Sequence, residues 1–338
     1  MRVLLFLSTI LSINSQLLNK NDPTTHRQAN TWTPQLVPSC RFATNNYQIF
    51  AVEMRTPEYG NVWERQLRIS TLPTEIESRV RCLDWDDSSN PYGGAGPRPP
   101  TASCNVDDTY FVGSKRTMLA AILALKDYTF LSQFKFKVLI LGLGGGNQPR
   151  QIRSLFPESE VHTVEIDEHV VQLAQKCFGL STTDPKQHVY VDEAAAFVRK
   201  AAAANTKYDL IIDDIPRTAV AATADGLHSA TFYTNIVHVL TPNGLFLTNV
   251  ELLQGTSSTD TSAVTEGELK NSGFLATRSL MNLKVSRAIV IGSINTAEEI
   301  TFNNLKENCH ILNLTIENGE QWRNCNILRE ELDSFGGV

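Results

Sequence analysis

Residues 138–147 read Val-Leu-Ile-Leu-Gly-Leu-Gly-Gly-Gly-Asn. Four apolar residues, which are typical of a buried strand, lead directly into a glycine cluster, and residues 148–156 can form a helix. Glycine lacks a Cβ atom and tolerates positive φ, so the backbone of such a loop can approach a ligand closely. The helix directs its free N–H groups and the positive end of its dipole toward the same point. The stretch therefore predicts the first strand–loop–helix unit of an α/β sheet, with a nucleotide-type cofactor site at the loop.

Predicted strands and helices alternate along the rest of the chain. The further strands are expected at residues 161–166, 188–191, 208–212, 245–250, 274–280 and 287–294. The helices between them are expected at residues 168–178, 193–204 and 229–240. Apolar strands separated by helices predict a mostly parallel sheet with helices on both faces. Sheets of this kind bind ligands beyond the C-terminal ends of their strands.

The N-terminal part of the chain has a different character. Residues 1–15 contain Arg2, a short apolar run and small residues, which predicts a secretory signal peptide. The run is shorter than the roughly 20 residues that span a bilayer. We therefore expect a secreted or lumenal protein, or a cytoplasmic one if this segment is not cleaved. Residues 16–40 are expected to be disordered or extended, residues 41–109 to form a small β-hairpin domain with a loop, and residues 110–338 to form the catalytic domain.

Composition and cysteine content narrow the function classes. The 338 residues carry a formal net charge of −6, which argues against nucleic acid as the main partner. No later segment has the length and apolarity of a membrane span. The six cysteines form no CxxC pair, so zinc and redox motifs are not expected, and the histidines show no metal spacing. In an oxidising compartment we expect Cys309 to pair with Cys325, two of Cys40, Cys82 and Cys104 to pair, and Cys177 to be a buried free thiol.

Acidic residues follow three successive strands after the glycine loop. Glu165 ends the second predicted strand, Asp192 and Glu193 follow the third, and Asp213 and Asp214 follow the fourth. A carboxylate after the second strand can accept the hydroxyls of a ribose. Each acid could instead cap the helix that follows it, but their repetition at one edge favours a shared site. The predicted cofactor-binding set is Gly142, Gly144, Gly145, Gly146, Glu165, Asp192, Glu193 and Asp213, with Asp214 at the reacting atoms.

Five motifs between about residues 110 and 295 carry a family resemblance: VLILGLGGGNQPRQI, VHTVEIDEHVVQLAQKCFGL, VYVDEAAAF, YDLIIDDI and FYTNIVHVLTPNGLFLTNV. A domain that binds NAD also has a glycine loop after its first strand and an acidic residue after its second strand. In this chain, however, Asn147 replaces the third glycine of the GxGxxG pattern of such domains. The set resembles class I S-adenosylmethionine-dependent methyltransferases of the spermidine-synthase-like branch. It is most similar to the C-terminal domain of the methyltransferase-like family that modifies elongation factor 1-alpha. The resemblance implies a Rossmann-like fold with a mostly parallel seven-stranded sheet, preceded by a small β-rich region. It also implies S-adenosylmethionine as cofactor and a chain that can form a homodimer.

The resemblance also implies residue roles. Gly142, Gly144 and Gly146 would line the methionine part of the cofactor, and Glu165 would hold the ribose. Glu193 aligns better than Asp192 with the acid that contacts adenine. Asp214 matches the acid that helps to deprotonate an attacking amine in spermidine synthases.

Two departures from the aminopropyltransferase pattern favour methyl transfer. The aspartate of the GGGDGG motif is Gly145 here, and the Asp-Ser-Ser-Asp stretch reads Asp214-Ile215-Pro216-Arg217. In aminopropyltransferases, the acids at these two positions bind the cationic amines of the decarboxylated cofactor and of the polyamine. This chain lacks both acids, and Arg217 puts a positive charge where the second one would be. The expected reaction is methyl transfer to an amine, on a small molecule or a protein. An aminopropyltransferase remains an alternative. A second alternative is an inactive binding protein that keeps the fold, because the cofactor is made in the cytosol whereas the predicted signal peptide directs the chain out of it.

Overall fold

The structure is a computed structural model that describes residues 35–36, 47–56, 60–69, 72–83, 104–108, 118, 122, 135–215, 226–251, 258–282 and 287–295. The predicted signal peptide, Pro216 and Arg217 lie outside the described residues. Within them the chain forms two sheets, one in the N-terminal part and one in the α/β part.

The N-terminal sheet is antiparallel, with the order β1-β2-β3-β4. Its strands are β1 (Gln35–Leu36), β2 (Tyr47–Thr56), β3 (Gly60–Ile69) and β4 (Leu72–Arg81). Within residues 41–109, where a small β-hairpin domain was expected, β4 is the strand that the sequence indicates least clearly. Pro73 and two glutamates hide β4 in the sequence, because these residues are depleted in strands.

The second sheet has seven strands in the order β10-β11-β9-β8-β5-β6-β7. Strands β5 to β9 are parallel neighbours, whereas β10 and β11 are antiparallel. The bounds are β5 (Lys137–Leu141), β6 (Glu160–Glu165), β7 (Gln187–Val191), β8 (Tyr208–Asp213), β9 (Leu240–Glu251), β10 (Ala276–Asn282) and β11 (Arg287–Ser293). The predicted fold class, a mostly parallel seven-stranded sheet after a small β-rich region, is confirmed.

Five helices accompany this sheet in the described part: α1 (Asn147–Leu155), α2 (Glu168–Cys177), α3 (Ala194–Ala203), α4 (Ala230–Val239) and α5 (Ser258–Asn271). Polar side chains fix several helix starts. Asp167 accepts a hydrogen bond from the backbone of His169 at the start of α2, and Ser229 accepts one from Phe232 in α4. Such caps satisfy backbone N–H groups that have no partner inside the helix. None of the helices in the described ranges has the length and apolarity required to cross a membrane.

The central strands are buried on both faces. The side chains of Val138, Leu139, Ile140 and Leu141 in β5 are all 0% exposed, which explains why this strand is a continuous apolar run. The N-terminal sheet packs its own apolar residues Ile49, Leu67 and Val80 against the C-terminal end of α2. The N-terminal sheet and the α/β part therefore share a small apolar contact at α2 and Phe178.

The cysteines differ from expectation at one position. Cys82 and Cys104 form a disulfide, as expected for two of the three N-terminal cysteines. Cys177 was expected to be a free thiol, and this prediction is wrong, because Cys177 is disulfide-bonded. Its apolar surroundings suit a disulfide as well as a thiol, so burial alone could not distinguish them. Its partner lies outside the described residues, as do Cys40, Cys309 and Cys325.

Candidate active site at the C-terminal edge of the sheet

The parallel arrangement brings the predicted site residues to one edge. Strands β5, β6, β7 and β8 are adjacent and parallel, so the loops that follow them share one side of the sheet. Direct contacts join these loops. The backbone N–H of Leu143 donates to Glu165 Oε2 over 3.0 Å, and that of Asp214 donates to the carbonyl of Leu141 over 3.0 Å.

The glycine loop adopts a conformation that needs glycine. Gly142, Gly144 and Gly146 have φ values of 90°, 52° and 76°, which L-residues with a side chain rarely adopt. The loop lies against the N-terminal sheet, because the backbone N–H of Gly145 donates to Ser78 Oγ over 2.8 Å. A Cβ atom would lie 2.6 Å from Ser78 Oγ at position 144 and 2.9 Å from Ser78 Cβ at position 145. The close approach predicted for a ligand is, at these two positions, an approach to Ser78.

Glu165 is held by backbone donors on both sides. Its Oε2 atom accepts from Leu143, and its Oε1 atom accepts from the backbone N–H of Asp167 over 3.0 Å. The carboxylate is half-buried, and each oxygen has a further lone pair. The next residue, Ile166, is 71% exposed, and Val191 at the end of the neighbouring strand is 54% exposed. These two apolar residues were not among the predicted site residues, although their position directly at the strand ends was a usable signal.

Asp192 and Glu193 are both engaged with α3. The two carboxylate oxygens of Glu193 accept from the backbone N–H groups of Ala195 and Ala196 over 2.8 and 2.6 Å. Asp192 Oδ2 lies 2.7 Å from the ammonium of Lys200. The helix-capping alternative therefore describes Glu193 in this structure, and its contact with adenine stays a prediction.

Asp213 lies in the interior rather than at the surface of the edge. Its carboxylate is 0% exposed. His228 Nε2 lies 2.7 Å from Oδ2, and the Thr248 hydroxyl donates to the same oxygen over 2.9 Å. These contacts hold Asp213 within the protein, and its contact with a cofactor stays a prediction. His228 and Thr248 are distant in sequence, so no local signal identified them.

Asp214 stands between the glycine-loop helix and β9. Its Oδ2 atom accepts from Gln148 Nε2 over 3.3 Å, and its Oδ1 atom accepts from Asn249 Nδ2 over 3.1 Å. Gln148 lies in the first turn of α1 and Asn249 lies in β9. The predicted catalytic carboxylate is therefore half-buried and oriented by two amide side chains that sequence analysis missed.

One group in the described part of the chain has the residue types of a metal site. Potential ligand atoms of Glu160, His162 and His188 lie within 4.8 Å of one another. They were not visible as a spacing because β6 and β7 bring them together across strands. His162 Nε2 already lies 2.7 Å from Glu160 Oε1, and Nδ1 lies 3.0 Å from the Tyr208 hydroxyl. Hydrogen bonds therefore account for the position of His162, and burial lowers its pKa.

The α/β part of the chain is similar to known proteins. Residues 128–263 match the family model of the spermine/spermidine synthase domain. The crystal structure of human methyltransferase-like protein 13 in complex with SAH superposes with a TM-score of 0.51 at 22% identity, and covers 59% of this chain and 90% of that one. The α/β domain has the class I methyltransferase fold.

Curated relatives of two kinds are similar to part of this chain in sequence. The eEF1A lysine and N-terminal methyltransferase of Bos taurus is 28% identical over 159 residues, which cover 45% of this chain and 23% of the relative. The polyamine aminopropyltransferase of Thermoplasma volcanium is 33% identical over 192 residues, which cover 56% of this chain and 65% of the relative. The chain thus spans about a quarter of the length of the methyltransferase relatives. The resemblance expected from the five motifs is confirmed.

Proposed function

We propose that this protein transfers the methyl group of S-adenosylmethionine to an amine, on a small molecule or a protein. Similarity to a lysine and N-terminal methyltransferase supports both the cofactor and the amine acceptor. The acids and glycines at one edge of the sheet supply the polar groups that such a cofactor requires.

The cofactor has a consistent position in this proposal. Glu165 accepts the ribose hydroxyls with its remaining lone pairs, since two backbone N–H groups fix its direction. The exposed side chains of Ile166 and Val191 offer apolar surface to a purine ring on the neighbouring strand ends. The methionine part passes Gly142, which is adjacent to Asp214. S-adenosylmethionine supplies an electrophilic methyl group on a sulfonium.

The observation that carries the choice of reaction is the packing of Gly145. A Cβ atom there would lie 2.9 Å from Ser78 Cβ and 3.0 Å from a ring carbon of Phe178. An aspartate, which aminopropyltransferases place at this position, does not fit. Without that acid, the cationic amine of a decarboxylated cofactor lacks its counter-charge, whereas the carboxylate of S-adenosylmethionine avoids a repulsive neighbour.

The protein would contribute alignment and proton removal. Holding an amine in line with the methyl group can lower the barrier by about 7–11 kcal/mol. Asp214 takes a proton from the acceptor ammonium, which frees the nitrogen lone pair for attack. The new nitrogen–carbon bond forms as the carbon–sulfur bond breaks, and that electron pair stays on sulfur in S-adenosylhomocysteine.

Titration calorimetry with three compounds tests the proposal. We expect S-adenosylmethionine and S-adenosylhomocysteine to bind at least tenfold more tightly than decarboxylated S-adenosylmethionine. A labelled-methyl assay on a lysate, read by mass, then identifies the acceptor. Tighter binding of the decarboxylated compound would favour a polyamine aminopropyltransferase, the alternative that the similarity to the Thermoplasma volcanium protein supports. Binding of none of the three would leave only a non-enzymatic role.

We further propose that the chain acts in the secretory pathway or outside the cell, as a homodimer and without nucleic acid. The Cys82–Cys104 disulfide and the disulfide-bonded Cys177 support this location, because disulfides persist mainly in oxidising compartments. Expression of the tagged full chain in cultured cells tests it: the protein should appear in the medium or lumen. Recovery in the cytosol with reduced cysteines would contradict it.

A further inference from the structure

Two amide side chains beside Asp214 each carry an oxygen without a hydrogen-bond partner. Gln148 and Asn249 are 8% and 6% exposed. Gln148 Oε1 and Asn249 Oδ1 are buried, and neither has a partner among the described residues. Buried polar atoms are nearly always hydrogen-bonded in folded proteins, so such atoms require an explanation. A ligand that donates hydrogen bonds is one.

The geometry places these oxygens beside the carboxylate. The amide nitrogen of each residue donates to Asp214, one to each carboxylate oxygen. In an amide, the nitrogen and the oxygen are bonded to the same carbon atom, so each unpartnered oxygen lies close to the Asp214 carboxylate. Three acceptor groups, from α1, β9 and the β8 loop, therefore lie near one another.

The chemistry of the three groups selects one class of ligand. A carboxylate or a phosphate would be repelled by Asp214, and a neutral hydroxyl has a single hydrogen to donate. A protonated amine carries a positive charge and up to three N–H donors, which match the three acceptors. We infer that Gln148 and Asn249 bind the ammonium group of the methyl acceptor through their side-chain oxygens, so that they determine the specificity of the enzyme for amines. The inference rests on the proposed function and adds two residues to it.

Two cofactor analogues test this without knowledge of the acceptor. In sinefungin, a carbon bearing a primary amine replaces the sulfonium and its methyl group, so its ammonium lies at the position of the transferred methyl group, next to the acceptor nitrogen. S-adenosylhomocysteine lacks that ammonium. The ratio of the two dissociation constants, measured by calorimetry on the full chain, therefore reports ammonium recognition.

We expect the protein to bind sinefungin at least tenfold more tightly than S-adenosylhomocysteine, as for a charge-assisted contact. Gln148→Met and Asn249→Leu should each reduce this ratio about fivefold or more and leave the affinity for S-adenosylhomocysteine within about twofold, which also shows that the variants fold. Thr163→Val is the matched control, because Thr163 Oγ1 is another buried atom with no partner among the described residues, and it should keep the ratio.

The outcomes separate the two hypotheses. If S-adenosylhomocysteine binds but sinefungin has no advantage, or if Gln148→Met and Asn249→Leu keep the wild-type ratio, the inference is wrong and the proposed methyltransferase function stands. If neither analogue binds, the proposed function fails and the inference fails with it.

Discussion

The hydroxyl of Ser78 accepts a hydrogen bond from the backbone N–H of Gly145, with 2.8 Å between the oxygen and the nitrogen. Through this contact a strand of the N-terminal sheet lies directly on the glycine loop of the α/β domain. The loop therefore has protein on one side, which restricts the residues that it can contain. This restriction applies at positions 144 and 145, where a Cβ atom would meet Ser78.

Gly145→Ala should destabilise the protein. The added methyl group would lie 2.9 Å from Ser78 Cβ and 3.0 Å from Phe178, and overpacking of this kind costs about 1–3 kcal/mol. Urea unfolding measures the free energy of unfolding. Gly267→Ala is the control, since a Cβ atom there meets nothing within 4 Å, and alanine in a helix is favoured over glycine by about 0.5–1 kcal/mol. Equal stability of Gly145→Ala and wild type would contradict the packing of Ser78 on the loop.

Glu165→Ala should weaken cofactor binding. Hydrogen bonds to a charged group contribute about 1.5–3 kcal/mol, so we expect S-adenosylhomocysteine to bind about 10- to 100-fold less tightly in calorimetry. Glu168→Ala, which removes an exposed carboxylate from the first turn of α2, should bind normally. Unchanged affinity of Glu165→Ala would exclude the ribose contact.

Glu193 is expected to stabilise the protein by capping the N-terminus of α3. Replacing it with alanine removes the acceptor of two backbone N–H groups, and loss of an N-cap costs about 0.5–2 kcal/mol. Glu193→Asn, which retains a capping side chain, should recover most of that loss in urea unfolding. If Glu193→Ala unfolds like the wild type but binds S-adenosylhomocysteine more weakly, the adenine contact predicted from the sequence is the better interpretation.

The sequence predicted the sheet well because strands and helices are indicated by the pattern of apolar residues within each short segment. The central strand β5 is an apolar run, and its burial on both faces is what such a run predicts. The positions of Glu165 and Asp214 at the strand ends were predictable for the same reason. The direction of a side chain depends on partners that are distant in sequence. Asp213 faces the interior because His228 and Thr248 bind it there, and no pattern near residue 213 records this.

The contribution of the N-terminal sheet was also hidden. Ser78 lies in a strand whose proline and glutamates obscure the β pattern, and its contact with Gly145 joins residues 67 positions apart. The glycine cluster was predicted to let the backbone approach a ligand closely. At positions 144 and 145, glycine is also needed because a Cβ atom would clash with Ser78. A sequence alone does not show whether a glycine is required by a ligand or by a neighbouring residue of the protein.

The stability of the protein should fall as the pH is lowered below the ordinary histidine pKa, in part because of His162. Burial lowers the pKa of this imidazole despite its hydrogen bond to Glu160. The unfolded chain therefore binds a proton near pH 6.5, whereas the folded chain takes it up only at lower pH. Where the unfolded state binds more protons, stability increases with pH. The contribution of His162 is thus fully present above the unfolded pKa and is lost as the pH falls through the folded one.

Urea unfolding of wild type and His162→Gln at pH 7.5 and pH 5.5 measures this effect. Glutamine retains hydrogen-bonding atoms but does not titrate, so the variant should lose less stability than the wild type between the two pH values. An equal loss of stability in wild type and His162→Gln would show that the imidazole is protonated as readily in the folded chain as in the unfolded one.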